Sequence, residues 1–280
     1  MNLIKHKISA SIVIYNTPEY QLSRLLKCIE LSKIINHTYL IDNSPNPSNL
    51  DLYKLPWVTY IASKSNAGYG AGHNHALRIA IEKFDFHFVL NPDIYFESEA
   101  IISMITRMCQ DASIGQLMPK VIYPDGSLQY LCKLIPTPFD LFLRRFLPAP
   151  LKVLAQQKAD TFELRFTEYK YEMNVPYLSG CFMLFRNSCL KEVGLFDERF
   201  FMYPEDVDIS RRMHVKYKTI FFPGALIVHD HAKESFKSKK MLWIHVVNMC
   251  RYFNKWGWFF DAERKAINEK TLKTLEILNK

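Results

Sequence analysis

No apolar run in this chain stays uncharged for the roughly 18 residues that a membrane-spanning helix needs, so no helical span is expected. The short apolar run within Met1 to Tyr15 stops at Asn16-Thr17-Pro18 and lacks a small-residue cleavage site. It reads as a first strand, not a signal peptide. Cysteine lacks pattern rather than number: six residues, at 28, 109, 132, 181, 189 and 250, form no CxxC pair. Irregular spacing in a long chain is weak ground for disulfides. Apolar neighbours, as in Gly180-Cys181-Phe182-Met183 and Met249-Cys250, point to buried thiols. With 9 Gly and 14 Pro, the chain has too few of either for low complexity. No fixed-period repeat is present, which excludes a repeat array.

What is present suffices for a sizeable core. The 280 residues are 49% hydrophobic and 14% aromatic, enough for one large or two small domains. The net charge of +8 is uneven. From His231 to Lys280 there are 11 Lys and Arg against 5 Asp and Glu. Such a basic tail suits an anionic membrane surface or a nucleic acid. A cytoplasmic, reduced protein is expected.

Ile8 to Tyr15 reads as a buried parallel strand. A helix follows, carrying Leu22, Leu25, Leu26, Ile29 and Ile34 at near-helical spacing. Thr38 to Ile41 and Val58 to Ala62 are the next strands. Asn66 to Asn74 reads as a glycine-rich loop, leading to a helix from about His75 to Lys83. Phe86 to Leu90 is the fourth strand. This alternation predicts a parallel sheet wrapped by helices. Ser98 to Asp111 (helix), Ile114 to Tyr123 (strand) and a turn at Asp125-Gly126 continue it.

Residues 134 to 175 break the pattern. Pro136, Pro138, Pro148 and Pro150 frame the aromatic stretch Phe139 to Leu147, which includes Arg144 and Arg145. It reads as an acceptor loop, a membrane patch, or a helix packed on the core. Val175 to Arg186 reads as a strand and Asn187 to Val193 as a short helix. Pro204 with acids at 205, 206 and 208 has the chemistry of a helix N-terminus. Asp208 and Arg212 are spaced to pair. One or two strands are expected over Thr219 to Val228. Residues 238 to 258 predict an amphipathic helix with Leu242, Val246, Met249, Phe253 and Trp256 on one face. Lys239, Lys240, Arg251 and Lys255, with Trp243, Tyr252, Trp256 and Trp258, fit interfacial binding; a helix packed over the sheet is the alternative.

The chain is organised around Leu90-Asn91-Pro92-Asp93. A strand ends at a proline, which cannot donate to a sheet ladder, and delivers a carboxylate. An Asp there can hold a divalent metal against a diphosphate, or simply make a turn. Asp42, the Asn66–Asn74 stretch, Asp93, and Glu205/Asp206 with the later His229 also lie at or near strand ends. Carboxyl ends of parallel strands share an edge, so these groups are expected to converge.

In this order, Ser11-Ile12-Val13-Ile14-Tyr15-Asn16, Ile41-Asp42-Asn43-Ser44, Asn66-x-Gly68-x-Gly70-x-Gly72-x-Asn74 and Asn91-Pro92-Asp93 resemble the nucleotide-sugar half of family 2 glycosyltransferases of GT-A fold. Gly180-Cys181-Phe182-Met183-Leu184-Phe185-Arg186, Phe201-Met202-Tyr203-x-Glu205-Asp206-x-Asp208 and His229 resemble its acceptor half. The likeness covers residues 8 to 235 and is nearest the rhamnosyltransferase-like branch of bacterial surface-polysaccharide synthesis.

The resemblance implies an α/β GT-A (Rossmann-like) fold. It would hold a mixed, mostly parallel sheet flanked by helices over 1–235, with a nucleotide-sugar half (1–125) and an acceptor half (126–235). A basic amphipathic extension would occupy 236–280. Asp42 is placed against the nucleotide base, since a carboxylate accepts the N3–H of uracil or thymine; an Asx turn is the plain alternative. Tyr15, Asn16, Thr17, Asn66, Gly68, Gly70, Asn74, Asn91 and Asp93 complete the donor set. A dinucleotide-binding reading of the glycines is weaker, because that fingerprint follows a first strand and this one follows a third.

Asp93 and His229 are placed on a divalent cation, Mn²⁺ or Mg²⁺; imidazole suits Mn²⁺ better. Asn91 stands where the common motif has a first carboxylate. Asp206 is placed as general base, with Glu205 as alternative. His231 is a poorer metal candidate, and His73, His75 and His214 read as surface or second-layer residues. The implied activity is inverting, metal-dependent transfer of L-rhamnose from dTDP-L-rhamnose to a polyprenyl-diphosphate-linked glycan, as in O-antigen or capsule synthesis. The protein would sit peripherally at the cytoplasmic face of the inner membrane, without a nucleic-acid partner. Alternatives are a UDP-sugar-dependent transferase of the same fold, or a non-catalytic sugar-nucleotide-binding protein.

Overall fold

A computed structural model of the chain describes residues 5–46, 54–140, 152–230 and 239–279. Leu141 to Leu147 of the aromatic stretch, and His231, lie outside the described residues.

The first half builds the expected alternation. β1 (Ile8–Ile14), α1 (Glu19–Ser32), β2 (His37–Asp42) and β3 (Val58–Ala62) come first. α2 (Tyr69–Lys83), β4 (Phe86–Leu90), β5 (Ile94–Phe96), α3 (Ser98–Gln110) and β6 (Ile114–Ile122) follow. Then come β7 (Cys132–Lys133), α4 (Lys152–Phe162), β8 (Met173–Asn174), β9 (Tyr177–Leu178) and β10 (Phe182–Arg186). α5 (Asn187–Val193), α6 (Pro204–Lys216), β11 (Lys218–His229), α7 (Lys239–Trp256) and α8 (Ala262–Leu278) end the chain.

Nine strands form one sheet, in the order β3-β2-β1-β4-β10-β6-β11-β5, with β8 on β11. β1 pairs parallel with β2 and β4, β2 with β3, and β6 with β11. β10 runs antiparallel between β4 and β6. Its amino end therefore lies at the edge where the parallel strands have their carboxyl ends. That reversal places Gly180-Cys181 beside Asn91, whose N–H donates to the Cys181 carbonyl at 2.9 Å.

Core burial follows the apolar pattern: Leu22, Leu25, Leu26 and Ile29 of α1 turn inward, on the side where the helix meets α3 and β5. The strand itself carries Ser9 and Ser11, both fully buried. Ser9 Oγ lies 2.7 Å from His87 Nδ1, Ser11 Oγ 2.7 Å from His73 Nδ1, and His87 Nε2 2.8 Å from Ser11 Oγ. A polar relay thus crosses the core, paired as burial requires except at His73 Nε2, which is buried without a hydrogen-bond partner. Burial holds both imidazoles neutral, His87 down to about 3 and His73 well below its ordinary value. His73 is therefore a core residue, not a surface one.

Two elements differ from the sequence reading, and a third resolves an alternative it left open. α2 starts at Tyr69, not near His75, so Gly70, Gly72 and Asn74 are helical. Local glycine content argues against a helix, but tertiary contacts hold the first turn: Tyr69 N–H donates to the Phe201 carbonyl at 2.9 Å. The stretch Val175 to Arg186 is broken at Ser179–Cys181 into β9 and β10. The region Thr219 to Val228 is one strand with a register shift between Phe222 and Leu226.

In the C-terminal extension, α7 packs on protein along its second half, in line with the packed-helix alternative. α7 buries Met249, Tyr252 and Phe253. Tyr252, assigned to the membrane-facing rings, is instead packed in a cluster with Phe200, Val207 and Phe253. The second half of the apolar face is covered by protein, while Leu242 and Val246 are half-buried. Trp243, 68% exposed, faces outward.

Candidate active site

The donor side is built from three chain reversals. At the end of β1, Asn16 adopts φ 49°, and its N–H donates to Ser44 Oγ at 2.8 Å. Tyr15, exposed, donates its N–H to Thr17 Oγ1 at 3.3 Å. At the end of β2, Asp42 is fully buried. Its Oδ1 accepts from Ser44 N–H at 2.8 Å and its Oδ2 from the Tyr60 hydroxyl at 2.7 Å. This is the Asx-turn geometry.

The Asn66–Asn74 stretch divides into bracing roles. Asn66 Oδ1 accepts from Gly68 N–H at 3.0 Å and from Asn43 Nδ2 at 3.4 Å. Gly68 has φ +102°, and a Cβ there would lie 2.8 Å from the Phe201 carbonyl carbon. Only glycine permits this approach of two backbones. Gly70 packs on Phe196 and Glu205. Asn74 spends its amide on Phe196 and Glu198, at 2.9 to 3.1 Å, and is buried. These contacts tie α2 to the chain leading into α6.

At the end of β4, Asp93 meets the end of β11. His229 Nε2 lies 3.3 Å from Asp93 Oδ1 and 3.5 Å from Asn91 Nδ2. Asp230 N–H donates to the Asp93 carbonyl at 2.9 Å. The far ring nitrogen, Nδ1, lies 3.0 Å from Gln129 Oε1, and Gln129 Nε2 donates to the His229 carbonyl at 2.8 Å. Gln129 thereby fixes the ring plane and leaves Nε2 aimed at Asp93. Burial acts to lower the His229 pKa, but the Cys181 sulfur and the Asp93 carboxylate outweigh it and raise it to about 10.

Glu205 and Asp206 open α6 in its first turn, after Pro204 at the position that tolerates proline. The preceding Tyr203 sits at φ 92°, an outlier for a bulky side chain. Asp206 Oδ2 accepts from Gly180 N–H at 3.0 Å and from the Tyr177 hydroxyl at 3.4 Å. Its Oδ1 accepts from Val207 N–H at 2.8 Å. Burial pushes both carboxyls up. Glu205, whose Oε2 has no hydrogen-bond partner, goes well above its ordinary value, with Asp206 adding to the effect. Asp206 rises to about 6, restrained by Gly180 N–H and by the Lys133 charge. Two neighbouring carboxyls with separated proton affinities suit one neutral group and one base.

The two centres are joined. Tyr69 donates its hydroxyl to the Gly180 carbonyl at 2.6 Å, Gly180 N–H holds Asp206, and Cys181 lies between Asn91 and His229.

No family model matches the chain. It is 28% identical over 190 residues to N-acetylglucosaminyl-diphospho-decaprenol L-rhamnosyltransferase of Mycobacterium tuberculosis, covering 64% of this chain and 61% of that protein. It is 25% identical over 203 residues to rhamnosyltransferase WbbL of Escherichia coli K12, covering 67% of this chain and 71% of WbbL. The mannosyltransferase PcManGT of Pyrobaculum calidifontis, solved with GDP-Man and Mn²⁺, superposes with a TM-score of 0.61 at 12% identity, over 98% of this chain and 71% of that one. GalNAc-T7, solved with UDP, GalNAc and Mn²⁺, gives 0.59 at 17% identity, over 80% of this chain and 44% of that one. This chain therefore has the GT-A fold and is similar in sequence to rhamnosyltransferases. The chain spans about three fifths of the mycobacterial protein's length.

In this GT-A site, the residues fit a divalent cation in one respect. Asp93 Oδ1 is buried without a hydrogen bond, 3.3 Å from an imidazole nitrogen. Among the described residues, no group of three or more His, Cys, Asp and Glu side chains could hold a metal. A cation here would take one carboxylate and one imidazole from the chain, with donor phosphates and water completing its shell. Sequence reading did not single out Tyr60, Gln129 or Tyr177, and gave no site role to Tyr69 or Cys181, although both lie in stretches it marked. Each reaches its partner across the fold.

Proposed function

We propose that this GT-A protein is an inverting, metal-dependent glycosyltransferase that moves L-rhamnose from dTDP-L-rhamnose to a polyprenyl-diphosphate-linked glycan. Its setting would be O-antigen or capsule-type polysaccharide synthesis, at the cytoplasmic face of the inner membrane. The observation that carries the reading is the joining of Asp93/His229 to Asp206 through Cys181 and Gly180. The lipid-linked acceptor is favoured by the decaprenol-diphosphate substrate in the name of the mycobacterial relative.

The roles follow from chemistry. Asp42, at the end of β2, is assigned to the base of the donor, because a carboxylate can accept the N3–H of thymine or uracil. Tyr15, Asn16 and Thr17 line the same edge. Asp93 and His229 are assigned to the cation, with Asn91 beside them. A bound divalent cation would neutralise charge on the departing nucleoside diphosphate. The acceptor hydroxyl oxygen attacks the anomeric carbon as the carbon–oxygen bond to the diphosphate breaks. Its proton passes to the Asp206 carboxylate. Glu205, held neutral by burial, leaves Asp206 as the base.

The test is nucleoside diphosphate release from a panel of dTDP- and UDP-sugars with a polyprenyl-diphosphate-linked acceptor, with and without chelator. Chelator-sensitive release from dTDP-L-rhamnose is expected. Turnover with UDP-sugars alone would move the donor to the uridine class. Donor binding without turnover on any acceptor would favour a non-catalytic sugar-nucleotide-binding protein.

A further inference from the structure

Gly257-Trp258-Phe259-Phe260 joins α7 to α8 and presents two adjacent phenyl rings to solvent. Phe259 is 77% exposed and Phe260 is 99% exposed. A single exposed apolar residue needs no explanation. Two consecutive rings on a turn that is fastened from behind are a different case.

The fastening is specific. Arg264, itself 5% exposed, donates to the carbonyls of Gly257 at 3.5 Å, Trp258 at 3.0 Å and Phe259 at 3.5 Å. It also reaches the Pro136 carbonyl at 3.4 Å, which ties the turn to the domain. Gly257 adopts φ +101°, and its N–H donates to the Phe253 carbonyl at 2.8 Å. Trp258 folds back on Phe253, with ring centroids 5.2 Å apart. Asp261 accepts from Arg264 N–H and from Arg211, which is 1% exposed. A buried cation spends its donors on keeping this turn in one shape, and that shape leaves both rings outside.

Charge points to the partner. Asp261 and Glu263, which follow the rings, are both ion-paired to Arg211. Residues 231 to 280 carry 11 Lys and Arg against 5 Asp and Glu. No helix among the described residues is long and apolar enough to cross a membrane. Two exposed aromatic rings, followed within one helical turn by the exposed Lys265 and carried on a net-basic stretch of sequence, match the headgroup region of an anionic bilayer.

We propose that Phe259 and Phe260 form a rigid tip that inserts into the interface of an anionic lipid bilayer and docks the domain beside a lipid-linked acceptor. The acceptor clause rests on the transferase reading; the lipid contact does not. It places membrane contact on the turn that follows α7, whose Tyr252 and Phe253 are packed on protein.

The test is co-sedimentation of the full chain with phosphatidylcholine vesicles, with and without phosphatidylglycerol. Binding to the anionic vesicles, weakened by added salt, is expected. F259S/F260S should weaken partitioning by at least about tenfold. F259W/F260W should keep it, because indole rings also favour the headgroup level. Both positions are exposed, so thermal midpoint and donor-induced thermal shift should not change in either variant. Equal sedimentation of F259S/F260S, or no vesicle binding by the parent chain, overturns the proposal. So does conversion of a dimer to a monomer by F259S/F260S in analytical ultracentrifugation, which would make a second copy the occupant. Absent turnover with every donor would defeat the transferase reading and leave the vesicle result intact.

Discussion

Lys255 of α7 reaches Asp208 of α6, with Nζ 2.6 Å from Oδ1 of a fully buried carboxylate. Trp256 Nε1 donates to the same oxygen at 2.8 Å, and Arg212 Nε to the other at 2.9 Å. Asp208 lies half a turn beyond Asp206 on the same helix. One turn from Asp208, Arg211 is bound to Asp261 through both guanidinium nitrogens and lies 4.0 Å over the Trp256 ring. The C-terminal extension thus grips the helix that carries the proposed base.

Loss of Lys255 would leave Asp208 still paired with Arg212 and Trp256, so the cost is that of one charged hydrogen bond and not of a bare buried charge. Lys255→Met should destabilise the protein by about 1–2 kcal/mol, read as a shift in the urea midpoint. Truncation after Ser238 should prevent folding, because Tyr252, Phe253 and the partners of Arg211 are lost together. A soluble, cooperatively folding truncation would show that α6 stands without the extension.

Asp206→Asn should abolish transfer while sparing donor binding by thermal shift. Burial raises the Asp206 carboxyl to about 6, and a base must be deprotonated. Transfer should therefore rise with pH through about 6 and level off above it. Unchanged turnover in the variant removes Asp206 from the base role.

The strand ends were legible because each is an apolar run stopped by Asn, Pro or Asp. Phe86–Leu90 before Asn91-Pro92-Asp93 is the clearest. Pro204 with its acids marked the start of α6 for the same local reason. Strand direction was not legible, since side-chain alternation is the same whichever way β10 runs. The early start of α2 was hidden because Gly70 and Gly72 lower helix propensity, while the contacts that hold them come from Phe201 and Phe196, far along the chain. Gln129 on His229 and Tyr177 on Asp206 were invisible for a related reason: a lone Gln or Tyr has no pattern until the fold brings it to a partner.

Gly68→Ala should cost about 2–4 kcal/mol, from a left-handed backbone angle and a clash with the Phe201 carbonyl. The loss should appear as a lower thermal midpoint together with weaker activity, because this contact seats α2 against the entry to α6. An unchanged midpoint would mean the two backbones separate easily.

Asp93→Asn should remove metal-dependent donor binding, since an amide keeps the shape but not the charge that a hard cation requires. Isothermal titration of donor with and without Mn²⁺ reads this directly. Normal Mn²⁺-dependent affinity in the variant would place the metal elsewhere.

His229 should make stability depend on pH in a direction that Mn²⁺ reverses. An imidazole titrates near pH 6.5 when unfolded. In the fold, burial opposes its charge, but Cys181 and Asp93 raise the value to about 10. The folded state holds this proton more tightly. Its contribution to stability is therefore full below about pH 6.5 and is lost as pH rises through about 10. A metal needs the nitrogen lone pair that the proton occupies, so binding at Asp93/His229 must release the proton and tighten as pH rises. In chelator, the thermal midpoint should fall from pH 7 to 10. With Mn²⁺, stabilisation should grow over the same range. His229→Gln should flatten both trends, because an amide neither carries the proton nor offers an imidazole nitrogen. A parent protein whose midpoint in chelator is level across that range does not have the charged His229–Asp93 contact in solution.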